Sequence, residues 1–162
     1  IMFDIKIFEN LTLEEKYQSM LSALKGLVDN SDSQTAKLAN SSALINALVG
    51  RLNWCGFYLD NGNELELGPF QGMPACTKIP YDKGVCGKCY STKKTIRVDD
   101  VNAFPGHIAC DAASNSELVI PIIVGEKCVG LLDMDSAELS RFTQLEEKYL
   151  KEAVKLIEKY VF

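Results

Sequence analysis

The 162-residue chain is 47% apolar and 24% charged, the balance of a soluble globule able to bury about two thirds of its unfolded surface without covalent staples. A net charge of −5 with no Lys/Arg-rich cluster argues against a nucleic-acid partner. No apolar run approaches the ~18 residues needed to cross a membrane, and Ile1-Met2-Phe3-Asp4 lacks the basic and apolar regions of a secretion signal, so a cytoplasmic single domain over 1–162 is expected.

Thr12-Leu13-Glu14-Glu15 reads as a capping box. Leu13, Tyr17, Met20, Leu21, Leu24, Leu27 and Val28 then recur at helical spacing. A second helix is expected from about Asp32 to Val49, stopped by Gly50. The pattern then changes to strands: Trp54–Leu59, a turn at Asp60-Asn61-Gly62-Asn63, and Glu64–Phe70 form a hairpin. Residues 73–94 read as loop with one short helix near Val85–Ser91, followed by a strand over Thr95–Val98. Asp99–Ser116 is a long irregular connection, of a length that is usually functional in a compact domain. Glu117–Val124 and Cys128–Asp135 form a second hairpin around Gly125-Glu126. Thr143-Gln144-Leu145-Glu146 is a second capping box, opening a helix with Leu145, Tyr149, Ala153, Leu156 and Tyr160 along one side. Two helices, five or six antiparallel strands and a closing helix predict an α+β fold with helices on one face of a sheet.

The cysteines divide by setting. Cys55 and Cys128 lie in apolar strand-like runs, where free cysteine behaves as a small hydrophobe. Cys76, Cys86 and Cys110 lie in loops or at a helix start. The helix dipole is expected to favour a thiolate at Cys86. Cys110 closes the packet Gly106-His107-Ile108-Ala109-Cys110-Asp111, which suits a reactive thiol better than a core. His107 is either a source of positive charge for that thiol or an ordinary loop histidine. Cys86-Gly87-Lys88-Cys89 has the C-x-x-C spacing, but with no second such pair and one histidine in the chain, no metal site is expected.

Asp133 and Asp135 share one face of their strand. A turn at Gly125-Glu126 makes paired positions sum to about 251, which sets Glu117 opposite them; a bulge at Pro121 shifts this by one. Two carboxylates about 4 Å apart repel by roughly 4 kcal/mol at an effective dielectric near 20, so the trio must bind a cation, hold a proton or open to water. A carboxyl that keeps its proton is a general acid. Trp54 and Tyr58 also share a face, which is either a pocket wall or an ordinary core face.

With these residues in view, Gly84-Val85-Cys86-Gly87, the run Gly106-His107-Ile108-Ala109-Cys110-Asp111-Ala112-Ala113-Ser114-Asn115-Ser116-Glu117, Gly130-Leu131-Leu132-Asp133-Met134-Asp135-Ser136, and Arg141-Phe142-Thr143 resemble the free methionine-(R)-sulfoxide reductases, which are built on a single GAF domain. The resemblance runs from about Asn53 to the last helix. It implies a GAF-like fold: a central antiparallel sheet of about six strands, N- and C-terminal helices on one face, and the active site under loops on the other. It implies Cys110 as the catalytic thiol, Cys76 as the resolving cysteine and Cys86 as a third family cysteine, an alternative resolver. Glu117, Asp133 and Asp135 match the carboxylates of the substrate pocket, with Glu117 and Asp135 also in the chemistry, and Trp54 and Tyr58 match its aromatics. No cofactor is implied. The implied partners are free methionine-(R)-sulfoxide, a thioredoxin-like reductant and a second copy of the chain in a homodimer. Cys89 departs from the family pattern and leaves the partner of Cys86 open. Two other classes remain: a non-catalytic GAF sensor of a small ligand, and a thiol redox switch or zinc-binding protein.

Overall fold

Six strands form one antiparallel sheet: β1 (Trp54–Asp60), β2 (Leu65–Gly72), β3 (Lys78–Ile79), β4 (Ile96–Val98), β5 (Ser116–Val124) and β6 (Lys127–Ser136), in the spatial order β3-β2-β1-β6-β5-β4. The computed structural model describes residues 3–162; Ile1 and Met2, the first half of the segment read as lacking a secretion signal, lie outside them. The central strands β1, β6 and β5 are buried on both faces, which is why they read as near-continuous apolar runs. Alternation along them separates two cores. Cys55, Phe57, Leu118, Ile120, Ile122, Leu132 and Met134 face α1 (Leu13–Val28), α2 (Gln34–Val49) and α4 (Gln144–Tyr160). Trp54, Tyr58, Val119 and Leu131 face α3 (Gly84–Thr92) and the loops around it. The helices anticipated at the two ends therefore cover one face, and the loops with one short helix cover the other.

Helix α1 buries Tyr17, Met20, Leu24 and Val28, a three-to-four-residue stripe worth about 2 kcal/mol per side chain. Leu13, read into that stripe, is exposed instead, at the first position of the helix. The Thr12 box is half formed: its hydroxyl accepts from Glu15 N, while the Glu15 carboxylate bonds the hydroxyl rather than the Thr12 backbone. The box at Thr143 and Glu146 is complete. Helix α2 is capped by Ser33, not begun at Asp32, and ends where Gly50 adopts φ 72°. The sequence patterns did not reveal a 3-10 turn at Ile5–Phe8, another at Val101–Ala103, or the two-residue strand β3.

A buried polar knot fastens the helical layer to the sheet. Arg141 Nη1 donates to both Glu146 carboxylate oxygens at 2.9 Å, and Tyr17 Oη donates to the same carboxylate. Arg141 Nη2 donates to Val49 O and Gly50 O, the free carbonyls at the end of α2. Arg141 N in turn donates to the hydroxyl of Ser116, the first residue of β5. The knot thus fixes the entry to both β1 and β5, the strands that carry Trp54 and Glu117. Among the described residues, no helix is long and apolar enough to cross a membrane.

Candidate active site

Trp54, Asp135 and Glu117 lie in one row across three neighbouring strands: Asp135 pairs with Trp54 on one side and with Glu117 on the other. Near the turn the β5–β6 pairs are Val124↔Lys127 and Ile123↔Cys128, which keep the sum of 251. A register shift between Ile122 and Ile123, next to Pro121, moves every later pair by one. Glu117 is therefore directly opposite Asp135 and diagonal to Asp133, on the same face. The next row holds Gly56 and Asp133, and Phe70 and Pro69 of β2 pack closely where a side chain at Gly56 would stand.

Over this face lies a cavity with an empty volume of about 470 Å³ that is open to solvent. Trp54, Tyr58, Glu117, Asp133 and Asp135 form its floor; Cys86, Gly84, His107, Ile108 and Cys110 line the rest. Trp54 stacks on Tyr58 and Phe70 with ring centroids 5.7 and 5.1 Å apart, so the aromatic pair is both pocket wall and core.

Cys76 and Cys110, 34 positions apart in sequence, are joined by a disulfide at the cavity, with Cα atoms 5.3 Å apart. Both are partly exposed. Tyr58 Oη donates to Cys76 O at 2.9 Å, tying the Cys76 loop to β1. The Cys110 loop is tied to the same strand's entry, where Asn53 Nδ2 donates to Asp111 Oδ2 and Ser114 Oγ. Cys86 is not in the disulfide; it sits in the first turn of α3, over the carboxylates, with Sγ 3.9 Å from Glu117 Oε2. Gly84 adopts φ 66°, and a Cβ there would come within 3.2 Å of Ile108, so the roof and the Cys110 loop meet closely at this glycine.

Burial pushes all three carboxyls up, Glu117 and Asp135 well above the carboxylate range and Asp133 less, because neighbouring hydrogen bonds offset part of its burial. All three carboxyls are thus pushed toward holding a proton, Asp133 the least. Burial, then Asp133 and Glu117, also push the Cys86 thiol well up. This corrects the expectation of a thiolate favoured by the helix dipole: a partial charge at a helix end loses to desolvation by burial, to which the neighbouring acidic groups add. His107 borders the cavity with its pKa lowered by burial, so it does not supply a standing positive charge. Two buried polar atoms of the pocket residues, Trp54 Nε1 and Asp133 Oδ1, have no hydrogen-bond partner, and such groups are costly unless a ligand meets them.

The GAF domain family model matches residues 42–161. Free methionine-R-sulfoxide reductase of Escherichia coli is 44% identical over 145 residues, covering 90% of this chain and 88% of that one. The chain belongs to the free methionine-R-sulfoxide reductase family of GAF-domain proteins. Protein YtsP of Bacillus subtilis is 49% identical over 148 residues, covering 90% of this chain and 91% of its own. The solved structure of free methionine-R-sulfoxide reductase from Neisseria meningitidis, in complex with its substrate, superposes with a TM-score of 0.86 at 40% identity, covering 90% of this chain and 87% of that one.

Every residue expected at the site of a free methionine-R-sulfoxide reductase borders this cavity or its disulfide. Cys89 does not line it; its buried thiol is pushed up first by burial and next by the neighbouring Cys128. Sequence reasoning missed Asn53, Asp111 and Ser114, the tether of the Cys110 loop. The only local signal was Asp111 following Cys110, where Oδ1 accepts from Ala113 N in a short side-chain turn.

Proposed function

We propose that the protein reduces free methionine-R-sulfoxide to methionine, with Cys110 as nucleophile and Cys76 as the resolving thiol. One observation carries the reading: the Cys76–Cys110 disulfide lies at a cavity whose floor is three buried carboxyls. Cys110 Sγ attacks the sulfoxide sulfur while Glu117 or Asp135 gives its proton to the oxygen. The oxygen passes to Cys110 as sulfenic acid, the sulfoxide sulfur gains two electrons, and methionine leaves. The Cys76 thiol then displaces that oxygen as water and closes the disulfide. A dithiol reductant of the thioredoxin class returns two electrons and two protons.

Asp133 Oδ1, buried and unpartnered, suits the substrate's ammonium, and Trp54 Nε1 suits an acceptor oxygen. An amino acid in a peptide has no ammonium to offer, so selection for the free amino acid follows from the same carboxylate. Residues 1–162 acting as one domain, a homodimer and a cytoplasmic setting belong to this reading; sedimentation of the purified protein tests the dimer. The decisive assay offers each free epimer and a methionine sulfoxide peptide, with dithiothreitol or thioredoxin. Turnover of the free R epimer alone supports the proposal; turnover of the peptide, or none of the free sulfoxide, overturns it.

A further inference from the structure

We infer that Cys86, Glu117 and Asp133 form a zinc site beneath α3, with a fourth position open to the cavity. The Cys86 sulfur and one carboxylate oxygen from each of Glu117 and Asp133 all lie within 4.8 Å of one another. Each of the three residues is only 5% exposed. Donors around a tetrahedral zinc ion, at bond lengths of about 2.0–2.3 Å, sit roughly 3.5 Å apart. A contraction of about 1 Å, small for side-chain ends, would therefore complete the set.

A second observation points to a ligand independently of that spacing. Asp133 Oδ1 is buried without a hydrogen-bond partner, and Asp133 is only 5% exposed. The donor types choose the metal. One thiolate with two carboxylates suits a borderline ion such as zinc, whereas calcium takes six to eight oxygens and magnesium retains its waters. A metal ligand binds deprotonated, so a proton held on the thiol or a carboxyl leaves to solvent as the metal–ligand bond forms.

The C-x-x-C spacing is not the motif here. Cys86 enters the site while Cys89, one turn on, does not line the cavity. Nor does the site need the Cys76–Cys110 thiols, since Cys86 is free while they are bonded. The metal is thus held by the oxidised protein as well as the reduced one. The second part of the inference rests on the function proposed above: zinc and the substrate ammonium claim the same Asp133 oxygen, so the metal excludes the substrate.

The test uses oxidised protein, in which Cys76 and Cys110 are unavailable as ligands. It is titrated with zinc by calorimetry and with cobalt by absorbance. One equivalent of each metal is expected, with proton release and a thiolate-to-cobalt charge-transfer band. Cys86→Ser should remove the band and weaken zinc binding at least about tenfold, within the range for loss of a first ligand or its support. Asp133→Asn, which keeps the thiol, should weaken zinc binding comparably. No binding, or affinity unchanged in both variants, overturns the site. Free methionine sulfoxide added to the cobalt form should bleach the band. A Cys86-dependent band that survives saturating sulfoxide leaves the metal site standing and overturns the placement of substrate on Asp133.

Discussion

Replacing Glu117 with glutamine should stabilise the protein at alkaline pH and disable it. The carboxylate donors of Glu117 and Asp133 lie within 4.8 Å of each other in a buried site. At that spacing two full charges repel by roughly 3.5 kcal/mol at an effective dielectric near 20. Burial is the larger cause and acts in the same direction, so Glu117 titrates well above its ordinary value of 4.5. A carboxyl whose folded pKa is raised contributes stability that is fully present below its unfolded pKa and is lost as pH rises through the folded one. Glutamine keeps the shape and never ionises. In urea unfolding of the oxidised protein, the stability of Glu117→Gln relative to the parent should therefore rise by about 3 kcal/mol between pH 5 and pH 8. Its kcat/KM should fall by about 10²–10⁴, the usual contribution of a positioned acid. A relative stability that does not change with pH, or unchanged turnover, refutes the reasoning.

Cys110→Ser should give no methionine at all, whereas Cys76→Ser should release about one equivalent per protein and stop, as quantified by chromatography after a single addition of sulfoxide. Gly56→Ala should lower stability by about 1–3 kcal/mol in denaturant unfolding, because a Cβ there would stand 2.7 Å from Phe70 Cα and 2.9 Å from Pro69 O, in the middle of the sheet. Arg141→Met strands the Glu146 carboxylate and should cost about 3–5 kcal/mol. The effect should reach the site through the entries to β1 and β5, so kcat is expected to fall together with the melting temperature.

The site's floor was legible in the sequence because strand periodicity and hairpin arithmetic are local. Two aspartates two apart must share a face, and a turn at Gly125-Glu126 brings Glu117 to them. The one-residue ambiguity came from Pro121, and the register shift beside it settles Glu117 opposite Asp135. The roof was less legible. The tether from Asn53 to Asp111 spans 58 residues and depends on where two loops are carried by the sheet, which no spacing encodes. The environment of Cys86 was misread for a related reason: its position at a helix start is local, but the burial that chiefly raises its thiol, and the three carboxyls that add to it, arrive from two other strands. Cys89 looked like half of a motif and is a buried side chain on the helix that covers the pocket.

The most direct test of the account is one turnover of fully reduced protein with a single equivalent of free methionine-R-sulfoxide, quenched with an alkylating agent and mapped by mass spectrometry. The account predicts one equivalent of methionine and a disulfide joining Cys76 to Cys110, with Cys55, Cys86, Cys89 and Cys128 alkylated once unfolded. Methionine formed with Cys86 bonded to Cys110, or with no disulfide at all, contradicts it.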